Sequence, residues 1–242
     1  MISSRVTLTS RLDTSIIGKD KGPKLKSKVE LKWSADFAYA IGLIVSDGNV
    51  SKDGRTISFA SKDVDQIENF LKALKLENPI KIVIGGLKNK TLRTQFSDVY
   101  FWNFLNDIGI HPNKSKSIGR VEIPKDLMSD FVRGVFDGDG SFYSYWDKRW
   151  KSSFMFYISI ASASKVFIDW IRSEIEELVG IKGHFSAPSL TGITWQLKYA
   201  KSEATLLIGK MYEKSDCISL SRKRLKIKKI LGTIATPCRA GV

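Results

Sequence analysis

Two aspartates, each at the end of an apolar helical segment and followed by a glycine, are the residues of this sequence best suited to chemistry. They are Asp47 in segment 41–48 and Asp139 in segment 133–140. A single Asp-Gly pair after a helix is usually a cap that leads into a turn. Two carboxylates that meet, however, repel each other unless a cation lies between them, and helix C-termini favour a cation further. Oxygen ligands and retained water suit Mg²⁺.

Small residues in the same two segments predict that the aspartates meet. Gly42 and Ser46 are four residues apart, as are Gly134 and Gly138. Residues four apart share one face of a helix, so each helix has a stripe that carries almost no side chain. Such stripes allow two helix backbones to approach closely. If the helices pack in parallel, their C-terminal ends coincide and bring the two carboxylates together.

The elements around these segments occur twice in the same order: helix, two strands, helix, two strands, helix. The first helices are predicted at 35–47 and at about 127–139. The later strands are predicted near 80–85 and 91–96 in the first unit, and near 181–186 and 193–199 in the second. A repeat on this scale predicts an α+β protein built from two pseudo-symmetric αββαββα repeats.

Composition divides the chain further. Residues 19–28 form a basic run interrupted by glycine and proline, and the stretch 111–124 is polar and bounded by prolines. The predicted segments are an N-terminal basic extension (1–34), a first repeat (35–110), a linker (111–124), a second repeat (125–232) and a C-terminal tail (233–242).

The charge of the chain favours a nucleic-acid partner. Lysine and arginine total 39 against 25 acidic residues, a net charge of +14. Such a surface attracts polyanions, and counterion release from phosphates is the usual source of affinity. Binding to an anionic lipid surface would require a basic amphipathic helix or a lipidation site, and neither stands out in the sequence. The two cysteines, with no apolar span or signal segment, predict an intracellular protein (cytoplasm or organelle matrix), neither secreted nor membrane-bound.

Both segments resemble the paired motifs of single-chain LAGLIDADG homing endonucleases. The third, eighth and ninth motif positions are Gly42, Asp47 and Gly48 in one copy and Gly134, Asp139 and Gly140 in the other. The resemblance extends over roughly residues 35–230, and the first copy departs from the motif at Val45-Ser46. The essential acid of the motif, its eighth residue, is present in both copies.

The resemblance implies a monomeric, intron-encoded, site-specific endonuclease that cuts both strands of a long, asymmetric double-stranded DNA target. Asp47 and Asp139 would bind Mg²⁺, or another divalent cation such as Mn²⁺, completed by the carbonyl oxygens of Ser46 and Gly138. Bound metal lowers the pKa of attacking water and neutralises charge on the scissile phosphate. The family also implies basic residues around the metals. The candidate catalytic lysines are Lys62, Lys114 and Lys223, each of which could equally be a phosphate contact or a solvated charge.

In this family each repeat has a four-stranded antiparallel sheet, and the two sheets form a DNA-binding saddle. One face of each sheet would meet DNA and the other would pack on helices. The predicted DNA-facing residues are Lys81, Arg93, Gln95, Tyr143, Tyr157, Lys182, His184, Thr194, Gln196 and Lys198. The basic run 222–229 is predicted to cap the second repeat and to contact phosphate through Arg222 and Arg224.

Two alternatives on the same fold stay open. An RNA maturase that assists intron splicing would use a similar basic surface. A non-cleaving DNA-binding regulator would more often have lost one of the two acids, and both acids are present here.

Overall fold

The computed structural model describes residues 27–84, 90–149, 153–188 and 192–235. Most of the predicted N-terminal extension and residues 236–242 of the predicted tail lie outside the described residues. None of the described helices is long and apolar enough to cross a membrane.

The predicted order of elements is present twice. The first unit contains α1 (Ala35–Ser46), β1 (Gly48–Val50), β2 (Thr56–Ser61), α2 (Val64–Ala73), β3 (Lys81–Ile84), β4 (Lys90–Ser97) and α3 (Val99–Asp107). The short helix α4 (Lys114–Ser117) and a 3₁₀ turn (Lys125–Leu127) lead to the second unit. That unit contains α5 (Met128–Asp139), β5 (Gly140–Trp146), β6 (Phe154–Ser162), α6 (Lys165–Val179), β7 (His184–Ser186), β8 (Trp195–Ala200) and α7 (Lys201–Met211), and α8 (Ser221–Ala235) follows it.

Each unit has a four-stranded antiparallel sheet with the same topology. The strand orders are β1-β2-β4-β3 and β5-β6-β8-β7. The register is equivalent too, because Gly48 pairs with Phe59 and Gly140 pairs with Ile160. The α+β fold with two repeats, predicted from the sequence, is therefore confirmed.

One strand boundary was predicted wrongly. The strand expected from about residue 181 begins only at His184. Gly183 has a φ of +59°, a left-handed conformation that breaks the extended backbone just before the strand. The alternation of side chains assumed for residues 181–186 therefore does not extend back to Lys182.

Alternation along the strands builds the core on one face of each sheet. In β6, Phe156, Ile158 and Ile160 are fully buried, while the residues between them are polar or small. In β2, Phe59 stacks on Phe70 of α2 with ring centroids 4.6 Å apart. Each sheet therefore has its helices on one face and leaves the other face open.

The helices α1 and α5 are in backbone contact along their glycine stripes. A Cβ atom added to Gly134 would lie 2.1 Å from the carbonyl oxygen of Tyr39, and one added to Gly42 would lie 2.3 Å from that of Phe131. Near the C-terminal ends, Gly138 lies against Ser46. The contacting positions advance together along both helices, so α1 and α5 run parallel and end together.

We expect Gly134→Ala to destabilise the protein, because its methyl group would have to displace the backbone of α1. The free energy of unfolding should fall by about 1 to 3 kcal/mol in urea titrations. The matched control is Gly209→Ala in α7, where nothing lies within 4 Å of an added Cβ. Alanine there should raise stability by about 0.5 to 1 kcal/mol. Equal stability of the two variants would contradict the backbone contact.

Candidate functional site

The joined ends of α1 and α5 bring Asp47 and Asp139 together. A Cβ on Gly138 would lie 3.0 Å from Oδ2 of Asp47, which shows how closely the two helix ends approach. Both aspartates reach solvent, yet dense protein around the carboxyl groups limits their hydration. Desolvation, followed by the negative charge of Asp47, raises the pKa of Asp139 to about 6. Desolvation also raises the pKa of Asp47.

Two of the three candidate lysines belong to this centre. Lys114 and Lys223 are each only 6% exposed. Burial lowers the pKa of each lysine to about 8, and the two aspartates oppose that shift. Lys62, by contrast, is exposed just beyond β2, and the strongest basic influences on both aspartates are Lys114 and Lys223.

Lys223 caps the C-terminus of α5. Its Nζ lies within hydrogen-bond distance of the carbonyl oxygens of Phe136 (2.5 Å), Asp137 (2.9 Å), Gly138 (3.3 Å) and Gly140 (2.5 Å), and its three N–H groups are shared among these four acceptors. The last carbonyls of a helix have no intrahelical partner and carry partial negative charge, so an ammonium group there is stabilising. The Gly138 carbonyl, a predicted metal ligand, is thus shared with this lysine.

A buried polar network beneath the centre was not predicted from the sequence. Asp137 is 1% exposed, and its Oδ2 accepts hydrogen bonds from Tyr39 Oη (2.8 Å) and from the backbone N–H of Leu220 (2.7 Å). The buried guanidinium of Arg133 donates to the carbonyl oxygens of Met211 (2.8 Å) and Ile218 (2.9 Å). These bonds fix the segment that leads into α8, and hence the position of Lys223.

Gln66 was also missed, and it makes the centre asymmetric. Its side chain is 3% exposed and donates to the Asp137 carbonyl oxygen at 3.0 Å. Its amide group also lowers the pKa of the Asp47 carboxyl group. Phe167 occupies the equivalent position in the second unit, five residues after the serine that ends the second strand. A cavity of about 230 Å³ lies on that side, lined by Ser46, Asp139, Ala163, Phe167 and Thr194 among others.

The open faces of the two sheets carry most of the predicted DNA-facing residues. In the first unit Lys81 pairs across the strands with Arg93, and Gln95 pairs with Ser58. In the second unit the same-face pairs are Tyr143 with Tyr157, His184 with Lys198, and Ser186 with Gln196. The residues between them, such as Phe96 and Leu197, are buried on the opposite faces.

Three residues that were predicted to contact DNA are placed differently. Thr194 lies outside β8, in the cavity beside Asp139. Lys182 precedes β7, and its Nζ lies 3.4 Å from Glu176 of α6, on the helical side of the sheet. Arg224 donates to the carbonyl oxygens of Cys217 (3.2 Å) and Ser215 within its own unit.

Arg222, which was predicted to contact phosphate, pairs with an acid of the first unit. Its guanidinium binds Asp63 at 2.9 Å, next to α2 of the first unit. The N–H of Ser221 donates to Asp65 at 3.0 Å, and Asn69 donates to the carbonyl oxygen of Ser219 at 2.9 Å. The start of α8 therefore links the two repeats.

The donor set fits a hard divalent cation. Among the described residues, no group of three or more His, Cys, Asp or Glu side chains is placed to hold a metal. A metal at the helix ends would therefore need backbone oxygens and water in addition to the two carboxylates. The oxygen atoms at the helix ends that could bind a metal belong to two carboxylates and to backbone carbonyl groups, and solvent can reach both acids. Mg²⁺ takes such sites because it retains several waters beside one or two carboxylates.

Comparison with known proteins assigns the fold. No protein-family model matches the chain. An uncharacterised protein of Methanocaldococcus jannaschii is 28% identical over 166 residues, which cover 64% of this chain and 59% of that protein. The chain thus spans less than two thirds of that relative's length.

Solved structures are similar over most of the chain. The homing endonuclease I-WcaI bound to its DNA recognition sequence matches with a TM-score of 0.57 and 15% identity, over 81% of this chain and 88% of that one. The LAGLIDADG homing endonuclease I-LtrWI bound to target DNA matches with a TM-score of 0.55 and 14% identity, over 83% and 90%. Full-length DUF199/WhiA from Thermatoga maritima matches with a TM-score of 0.53 and 15% identity, over 84% and 62%. The chain has the two-repeat LAGLIDADG fold.

The buried network makes a prediction about stability. Tyr39→Phe removes the hydroxyl that donates to the Asp137 carboxylate, and should lower the free energy of unfolding by about 1.5 to 3 kcal/mol. The matched control is Tyr199→Phe, because the Tyr199 hydroxyl is buried and has no hydrogen-bond partner among the described residues. Its removal should leave stability unchanged or slightly raised in urea titrations. An unchanged free energy of unfolding in Tyr39→Phe would show that this hydrogen bond does not stabilise the protein.

Proposed function

We propose that this protein is a divalent-metal-dependent endonuclease that hydrolyses both strands of a long, asymmetric double-stranded DNA site, as in intron homing. The observation that carries the proposal is the meeting of Asp47 and Asp139 at the joined ends of α1 and α5, beside two buried lysines. One chain supplies both acids, so a monomer suffices for a break in both strands.

DNA binding is supported by charge and by the open sheet faces. The chain carries a net charge of +14. Arg93 and Gln95 are exposed beside each other on β4, and arginine and glutamine pair with base edges in the major groove. The two faces differ in composition, which favours an asymmetric target. Both DNA-bound endonucleases reported above share this fold.

The acids and the lysines of the centre would have different roles in hydrolysis. Asp47 and Asp139, with the carbonyl oxygens of Ser46 and Gly138, would hold Mg²⁺ or Mn²⁺, which activates water and offsets phosphate charge when bound. Lys114 and Lys223 hold positive charge in the same centre. Charge preorganised in a partly desolvated site stabilises the negative charge that develops on a phosphodiester during hydrolysis.

One contact favours a second candidate, a non-cleaving DNA-binding regulator. The Lys223 ammonium donates to the Gly138 carbonyl oxygen, an atom that a bound metal would also use. A centre neutralised by its own lysines would bind DNA without cutting it. The RNA maturase hypothesis has no comparable contact in its favour, and binding to structured RNA would test it separately.

Cleavage of a random-site plasmid library in Mg²⁺, followed by sequencing of the ends, tests the nuclease proposal. The wild type should produce staggered double-strand ends at one sequence. Asp47→Asn and Asp139→Asn should each lower the rate of double-strand cleavage at least about 100-fold while DNA binding persists. Asp169→Asn, on the exposed face of α6, is the matched control and should cut normally. Binding to a specific sequence with no ends produced would support the regulator instead.

The role of Lys114 can be measured separately. Lys114→Met removes a buried cation of the centre and should slow single-turnover cleavage about 10- to 1000-fold at saturating protein, with little change in DNA affinity. Lys116→Met, an exposed position of the same short helix, should affect affinity and salt dependence rather than the rate. Equal rates for the two variants would remove Lys114 from the chemistry.

A further inference from the structure

Three tyrosines form an exposed cluster on the open face of the second sheet. Tyr143 and Tyr145 lie on β5 and Tyr157 lies on β6. The Tyr157 ring stacks with that of Tyr143 at 5.2 Å and 14°, and with that of Tyr145 at 6.2 Å and 8°. Tyr143 is 36% exposed and Tyr145 is 45% exposed. The cluster is too exposed to serve the core.

The strand register places this tyrosine cluster on the face that we propose meets DNA. Tyr143 pairs with Tyr157 across the strands. Ser159 lies two residues from Tyr157 on the same face, nearer the centre, and pairs with Lys198, which pairs with His184 on the next strand. The intervening Phe142 and Phe156 are buried on the helical side.

The first unit has no counterpart to the tyrosine cluster. The third and fifth residues after Gly48 are Ser51 and Asp53, where the second unit has tyrosines after Gly140. Thr56 stands at the position equivalent to Tyr157, two residues before the serine that faces the first strand. The polar positions of the first sheet suit hydrogen bonding, so the aromatic surface distinguishes one half of the molecule from the other.

The arrangement of the rings limits what they can bind. Stacked rings turn their faces toward one another, so the faces between the three rings are occupied. Stacking on an unpaired base requires a free ring face, whereas ring edges offer an apolar surface with polar tips. In the major groove, the apolar group that base edges present is the C5-methyl group of thymine, which 5-methylcytosine also carries.

We propose that the tyrosine cluster is a specificity site that reads C5-methyl groups of pyrimidines in the half-site beneath the second repeat. The proposal rests on the proposed DNA-binding function and names a feature of its substrate. Strand β5 leaves the centre at Gly140 and advances about 3.3 Å per residue, close to the ~3.4 Å rise of each DNA strand. Tyr143 and Tyr145 should therefore read positions about three to six base pairs from the centre of the target.

The test begins with the full chain and a random 40-base-pair duplex library, selected for binding without divalent metal. Thymines are expected in the segment read by the second repeat. The selected duplex is then remade with uracil at those thymines, which removes only the methyl groups. Affinity should fall about threefold to fivefold per methyl group. Further duplexes with cytosine or 5-methylcytosine at the same positions show whether the methyl group restores affinity on another base.

A double variant with Tyr143→Ser and Tyr157→Ser should bind the thymine duplex more weakly than the wild type does. It should also bind the thymine and uracil duplexes with equal affinity. Tyr143→Phe with Tyr157→Phe should keep the distinction, because the ring edges persist. Tyr100→Ser, at an exposed tyrosine on helix α3, is the matched control. Circular dichroism and thermal unfolding establish that each variant is folded.

Equal wild-type affinity for the thymine and uracil duplexes would overturn the proposal. An unchanged preference for thymine in the doubly substituted serine variant would also overturn it. Failure to select any duplex would overturn both this proposal and the proposed DNA-binding function. Selection of a thymine-bearing duplex that the protein never cuts would leave the specificity site standing and remove only the nuclease.

Discussion

The backbone contact between α1 and α5 is the constraint on which the rest of the structure depends. At Gly42 and Gly134 the two helices are so close that a single methyl group would collide with carbonyl oxygens of the other helix. Because the helices run parallel, their negative ends coincide, and the acids at those ends share one small region. Negative charge from the two carboxylates and the two helix C-termini is thereby concentrated in one place, where it is unfavourable unless positive charge lies nearby.

The surrounding residues offset that concentration of negative charge. Lys223 binds the carbonyl oxygens at the end of α5, and Asp137 holds the N–H of Leu220 three residues before that lysine. Tyr39 of α1 donates to the same carboxylate, so the helix pair, the start of α8 and the lysine form one connected unit. The Arg222–Asp63 pair then ties this unit to the first repeat. The centre is positioned by both repeats together and belongs to neither alone.

Local pattern was enough to predict the repeats. Glycine after each aspartate and apolar spacing before it gave the ends of α1 and α5 to within about a residue. Alternation placed Arg93 and Gln95 on the open face of β4. It failed at Lys182, because a left-handed glycine interrupts the strand there, and no spacing rule reveals that φ.

Long-range partners could not be predicted. Arg222 and Asp63 are 159 residues apart, and nothing in either neighbourhood indicates the other. Lys114 and Lys223 are buried whereas Lys62 is exposed, and no local sequence pattern distinguishes the buried lysines from the exposed one. One signal was available in the sequence: Asp137 is a charged residue directly after the apolar Val135 and Phe136, and Tyr39 lies one turn before Gly42 on the partner helix.

The proposed function requires that the joined helix ends bind a divalent cation between their two acids. Electron paramagnetic resonance of Mn²⁺ titrated into the protein, with a selected duplex present, tests it most directly. The account predicts bound Mn²⁺ in the wild type and its loss in both Asp47→Asn and Asp139→Asn, with the duplex still bound. Equal Mn²⁺ binding by wild type and variants, or none in a protein that holds the duplex, would contradict it.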